Sequence, residues 1–146
     1  MNGNVDQDAI LRARNVLLSS GRPSPRQEID ACRVLAQVSP ATYLPRLSRA
    51  LVRLSWDCSV RELPEARLVL HTEAVEAARG LDESDPQYAP LLLDALQWYQ
   101  GTLFELGRRR EGLAVREEMA GLGRRAFEAA PESLWWKGPE LWEAGA

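Results

Sequence analysis

Tyr43-Leu44-Pro45-Arg46-Leu47-Ser48-Arg49-Ala50-Leu51 and Tyr88-Ala89-Pro90-Leu91-Leu92-Leu93-Asp94-Ala95-Leu96 share a Tyr-x-Pro opening and an Ala-Leu close, 45 residues apart. Pro86 and Pro131 keep the same step, and Pro40 to Pro86 is 46 residues. A fixed period of this size marks stacked supersecondary units, each burying its apolar face only against its neighbours. Such an array presents a continuous surface rather than an enclosed catalytic pocket. The repeat therefore points to binding another protein, and says little about which one.

The 146 residues fit one domain, spanning 1–146, with units at about 5–39, 40–85 and 86–130 and a C-terminal aromatic segment at 131–146. A net charge of −3 and a pI near 5.3 argue against a nucleic-acid partner, which asks for a strongly basic surface. No apolar run approaches a membrane span and no signal-like segment opens the chain, so a cytoplasmic protein without membrane contact is expected. Cys32 and Cys58 are too few for a disulfide framework or metal site, and each reads as a small buried hydrophobe at an apolar helical position. Arginine at 17 positions against the single Lys137 suggests a GC-rich bacterial source.

Periodicity predicts seven helices. The first covers about residues 5–19, with Ile10, Ala13, Val16 and Leu17 on one face, and stops at Gly21. Ser24-Pro25-Arg26-Gln27 is a capping-box start for the second, to about 38. The third, about 41–59, carries Leu44, Leu47, Leu51 and Leu54 as one stripe, with Pro45 read into its first turn. The fourth runs from about 63 to 81. The fifth, about 88–106, ends at Gly107, suited to a left-handed cap. The sixth spans about 109–129, and a short seventh piece at 132–136 resumes at 140–143. No stretch alternates apolar and polar residues for long enough to suggest a sheet.

Ala95-Leu96-x-x-Tyr99-x-x-x-Leu103-x-x-Leu106-Gly107-Arg108-Arg109-x-Glu111-Gly112-Leu113, closed by Pro131, resembles a tetratricopeptide repeat of the long-period actinobacterial kind. The likeness covers about 41–131 well and about 8–40 loosely. It implies an all-α fold of antiparallel helical hairpins, stacked as a short right-handed superhelix with a C-terminal capping helix. The first helices of the units would line a concave groove. The sequence departs from the pattern at Gln100, where the previous unit has the small Ser55, at Gly112 in place of alanine, and at 59–64, which lacks the Leu-Gly-Arg turn.

Carrying the family's groove-lining positions onto this chain gives Asn15, then Arg49, Val52, Arg53, Trp56 and Ser59, then Asp94, Gln97, Gly101, Phe104 and Glu105. Arg49, Arg53 and Trp56 stand at i, i+4 and i+7 and share a helix face. Two guanidinium forks beside an aromatic surface suit a carboxylate or an acidic peptide. Solvated arginines beside a packed tryptophan are the plainer reading. Arg108-Arg109-Arg110 reads as a solvated turn, offset by Glu105 and Glu111.

Catalytic chemistry has little to stand on. His71 is the only histidine, Glu73 two residues on faces elsewhere, and neither H-E-x-x-H, C-x-x-C nor G-x-S-x-G occurs. His71 reads as a surface or half-buried helical residue. No cofactor, metal site or catalytic residue is expected. Trp135, Trp136 and Trp142 crowd the last dozen residues, where they either cap the open end of the array, over Leu113, Leu122 and Phe127, or dock into another molecule, a second copy included. The leading function is a non-enzymatic protein-interaction module, an adaptor or accessory subunit that takes a partner protein or peptide. The alternative is a small helical enzyme or ligand-responsive regulator with a pocket between repeats.

Overall fold

Proline marks the start of three of the described helices. In the computed structural model, which describes residues 6–19 and 21–129, six helices follow one another: α1 (Gln7–Leu18), α2 (Pro25–Leu35), α3 (Pro40–Ser55), α4 (Pro64–Arg79), α5 (Tyr88–Glu105) and α6 (Arg109–Ala129). The described residues contain no strand. The expected seventh piece at 132–143 lies outside them.

Local chemistry accounts for the boundaries. Ser24 caps α2 through Gln27, whose side chain returns a bond to the Ser24 amide, and Pro25 fills the first position. Prolines also open α3 and α4, where the missing amide donor has no helical partner to lose. At the end of α5, Gly107 takes φ +73°, with its amide on the Phe104 carbonyl and the Arg108 amide on that of Leu103. That is a Schellman closure, and it needs a residue tolerant of the left-handed region.

Two helix ends and the place of one proline differ from expectation. α2 stops at Leu35 and α3 at Ser55, earlier than their patterns suggest. Trp56–Leu63 instead form successive turns, with Val60 buried and Asp57 accepting from the Ser59 amide and hydroxyl. This anchored loop does the work of the missing glycine turn. Pro45 is also not in the first turn, because α3 starts at Pro40 and Pro45 falls inside the helix. Tyr43 consequently sits four residues into α3 while Tyr88 opens α5, so the two Tyr-x-Pro motifs do not occupy like helical positions.

Each helix packs on the next in sequence, and α3 also packs on α5. Short connections make these neighbours antiparallel. One large core gathers α2–α6 around Cys32, Leu51, Leu96 and Leu103, all fully buried, and a smaller cluster joins Ile10 and Ala13 of α1 to Ala31 and Leu35 of α2. Tyr43 bridges the two. Cys32 is the buried hydrophobe expected of it, and burial pushes its thiol up. Cys58 is not: it stands exposed in the α3–α4 turns, past the true end of α3. Of the apolar residues expected to need a cap, Leu122 lies in the main core and Leu113 is 42% exposed.

Within the core, α4 carries a polar centre. His71 is 2% exposed, far more buried than its own helix pattern suggests. Its Nε2 meets Ser55 Oγ of α3 at 2.9 Å and its Nδ1 meets Thr102 Oγ1 of α5 at 3.0 Å. Ser55 donates to the Val52 carbonyl, so it accepts from Nε2–H, and Thr102 donates to Nδ1. A neutral ring protonated on Nε2 satisfies all three groups. Burial, reinforced by the charge of Arg67, drops its pKa to about 4.

Candidate functional site

Arg46, Arg49, Arg53 and Trp56 run along one stripe of α3, three to four residues apart, and the opposite stripe holds Leu47, Leu51 and Leu54 in the core. Burying the leucines obliges the arginines to face outward. An open hollow of about 520 Å³ is lined by Arg46, Arg49, Val52 and Arg53 of α3 and Asp94 of α5. One turn past Arg53, Trp56, half exposed, meets Trp98 of α5 edge to face, with ring centroids 4.9 Å apart at 79°.

The arginines are held rather than loose. Arg46 Nε and Arg53 Nη2 each donate to Glu28 of α2 at 2.9 Å, one to each carboxylate oxygen. Burial tends to raise the Glu28 carboxyl, but the Arg46 hydrogen bond and the charge of Arg53 outweigh it and leave the pKa below the usual glutamate range. Arg49 reaches the Gln87 amide oxygen at 3.3 Å. Asp94 is exposed to solvent, yet the protein crowded around its carboxyl raises its pKa, an effect that the Arg49 charge partly offsets. Three guanidinium charges thus face two carboxylates, and the hollow keeps a positive excess.

The structure brings Arg49, Arg53, Trp56 and Asp94 together in this way. Gln97 and Gly101 are exposed on α5, and Ser59 lies in the turns after α3. Asn15 lines a neighbouring hollow of about 410 Å³ with Arg22, Pro23 and Gln27. Phe104 stacks beneath the Arg116 guanidinium, 5.3 Å from ring centre, and with Arg109 and Leu113 lines a separate hollow of about 560 Å³. Glu105 turns to Arg67 of α4, which holds its carboxyl low, and so is committed to an ion pair. Arg108 pairs with Glu111 at 2.6 Å. Trp135, Trp136 and Trp142 lie outside the described residues.

Four partners in the site were not singled out in the sequence: Arg46, Glu28, Gln87 and Trp98. Arg46 continues the Arg49–Arg53 stripe three residues back, and Trp98 follows Asp94 by one helical turn, so both were within reach of the pattern. Glu28 and Gln87 come from other elements and leave no local signal.

Among the described residues no group of three or more His, Cys, Asp or Glu is placed to hold a metal, and no helix is long and apolar enough to cross a membrane. No protein family, curated protein or solved structure matches this chain.

Proposed function

We propose that the chain is a non-enzymatic interaction module, a cytoplasmic bacterial adaptor or accessory subunit of tetratricopeptide-like build. It binds an acidic segment of a partner protein along the α3–α5 face. The observation that carries this reading is the arginine row of α3. Arg46, Arg49 and Arg53 stand on one open face, pre-set by Glu28 and Gln87, with the Trp56–Trp98 pair beside them. Guanidinium forks recognise carboxylates with both charge and geometry, and an exposed indole adds apolar area with little side-chain entropy to lose. The hollow is open rather than enclosed, which suits a peptide segment better than a small substrate.

The enzymatic alternative finds less support. His71, the sole histidine, is enclosed between buried hydroxyls and serves three-helix packing. The raised pKa of Asp94 arises at an open surface.

The reading is tested by titrating a glutamate-rich decapeptide while following tryptophan fluorescence. Arg49→Ala combined with Arg53→Ala is expected to weaken binding at least about tenfold, with the helical circular dichroism unchanged. Binding should also fall as salt rises, since exposed charges are screened beyond about 8–10 Å at ordinary ionic strength. Unchanged affinity in the double variant rejects the arginine groove.

A further inference from the structure

Two hollows meet at Arg46 and Arg53. One belongs to the groove described above. The other, about 360 Å³, is walled by Arg22, Pro23, Pro25, Glu28, Arg46 and Arg53. Glu28 forms its floor. Its side chain is 11% exposed and takes one N–H from Arg46 and one from Arg53. The remaining guanidinium N–H groups of both arginines have no acceptor among the described residues, and Arg22 makes no ion pair there. Both tethered arginines are still open to a ligand, at 41% and 61% exposure.

The charge balance selects the ligand. Three guanidinium groups face one carboxylate, and no other acid lines the hollow. A single incoming carboxylate would leave one positive charge unmatched. A phosphate monoester carries roughly −1.5 to −2 at pH 7 and offers three strong acceptor oxygens. Planar arginine forks bind such oxygens in pairs, which a lone ammonium cannot do. The prolines at 23 and 25 stiffen the wall that carries Arg22.

The geometry points to a phosphoryl-reading site: the hollow takes the phosphorylated serine or threonine of a partner peptide on Arg22, Arg46 and Arg53, with Glu28 as the residue that positions two of them. This rests on the proposed groove, because the hollow opens onto it through the shared arginines, so that a chain lying along α3 brings a side chain into the pocket. It adds a switch to that reading, since phosphorylation of the partner would set its affinity.

Calorimetric titration at about 0.15 M ionic strength tests it, with a blocked pentapeptide Ala-Leu-Ser-Glu-Ala whose serine is plain, phosphorylated or replaced by glutamate, and with inorganic phosphate alone. The phosphorylated peptide is expected to bind about tenfold or more tighter than the glutamate version. Arg22→Lys and Arg46→Lys, which keep the charge and lose the fork, should each remove much of that preference. Arg22→Lys is the variant least able to disturb the fold. Arg33→Lys, at an ion pair with Glu73 elsewhere on the surface, should leave the preference intact. Equal binding of the phosphorylated and glutamate peptides would overturn the proposal while leaving the acidic-peptide groove standing. Inorganic phosphate binding as tightly as the phosphopeptide would overturn the peptide source, and no binding by any peptide would overturn groove and pocket together.

Discussion

His71 accepts a hydrogen bond on one ring nitrogen and donates one from the other, and both partners are buried hydroxyls. Its protonation would break the Thr102 contact and leave a cation in the core. The unfolded ring titrates at its ordinary 6.5 and the folded ring at about 4. In that interval the unfolded chain binds the proton and the folded chain does not. Stability from this group is therefore complete above about pH 6.5 and drains away as the pH falls towards 4, by at most about 3 kcal/mol. Glu28 and Glu105, whose pKa values are lowered, lose their contribution only further down. Urea unfolding between pH 7 and pH 5 should show the midpoint dropping in the native protein and barely moving in His71→Gln, and an equal drop in both would place the titration elsewhere. The burial of His71 was not legible along α4, because its partners lie 16 and 31 residues away in sequence and no spacing within the helix reveals them. The one hint was Ser55, a small residue where two helices approach.

Two glycines, one in the α5–α6 turn and one in the first turn of α6, do opposite things. Gly107 holds a left-handed cap, so Gly107→Ala should cost about 1 kcal/mol or more. Gly112 is helical, and its absence of a side chain makes room for Phe104. A Cβ there would come within 2.7 Å of the ring. Alanine normally gains about 1 kcal/mol over glycine inside a helix. We expect Gly112→Ala to forfeit that gain in the native background and to recover it when Phe104→Ala is also present, a cycle readable from paired urea denaturation curves. A full gain in the native background would mean that the ring moves aside freely. The glycine cap was readable from Leu106-Gly107-Arg108, since it is local chemistry. The reason for Gly112 was not, since it depends on how a half-buried ring from α5 settles on α6. Leu96, fully buried in the middle of α5, was marked by its place in the repeated Ala-Leu pair; Leu96→Ala should cost about 2–5 kcal/mol by thermal or urea unfolding.

On the scale of the molecule, two ion pairs tie alternate helices. Arg33 of α2 holds Glu73 of α4 through two hydrogen bonds, and Arg79 of α4 holds Glu118 of α6, at sequence separations of 40 and 39. On the other side α3 packs on α5. The all-helical fold and most helix boundaries were visible in the sequence because apolar stripes and proline stops are local and strong. The uneven placement of Tyr43 and Tyr88 was not, since helix starts depend on the loop before each one. The candidate site was half visible: Arg49, Arg53 and Trp56 declare themselves by spacing, while the Glu28 carboxylate that ties Arg46 to Arg53 comes from a different helix. That tether pre-sets two of the solvated arginines of the row, and partner capture tests the proposed binding face most directly. Extracts of the native host should be passed over the immobilised protein and over its Arg46→Ala, Arg49→Ala, Arg53→Ala variant, and the captured proteins compared at low and high salt. One or a few proteins with acidic segments should be held at low salt by the native chain and be missing from the folded variant. The same proteins captured equally by both would contradict the proposed binding face.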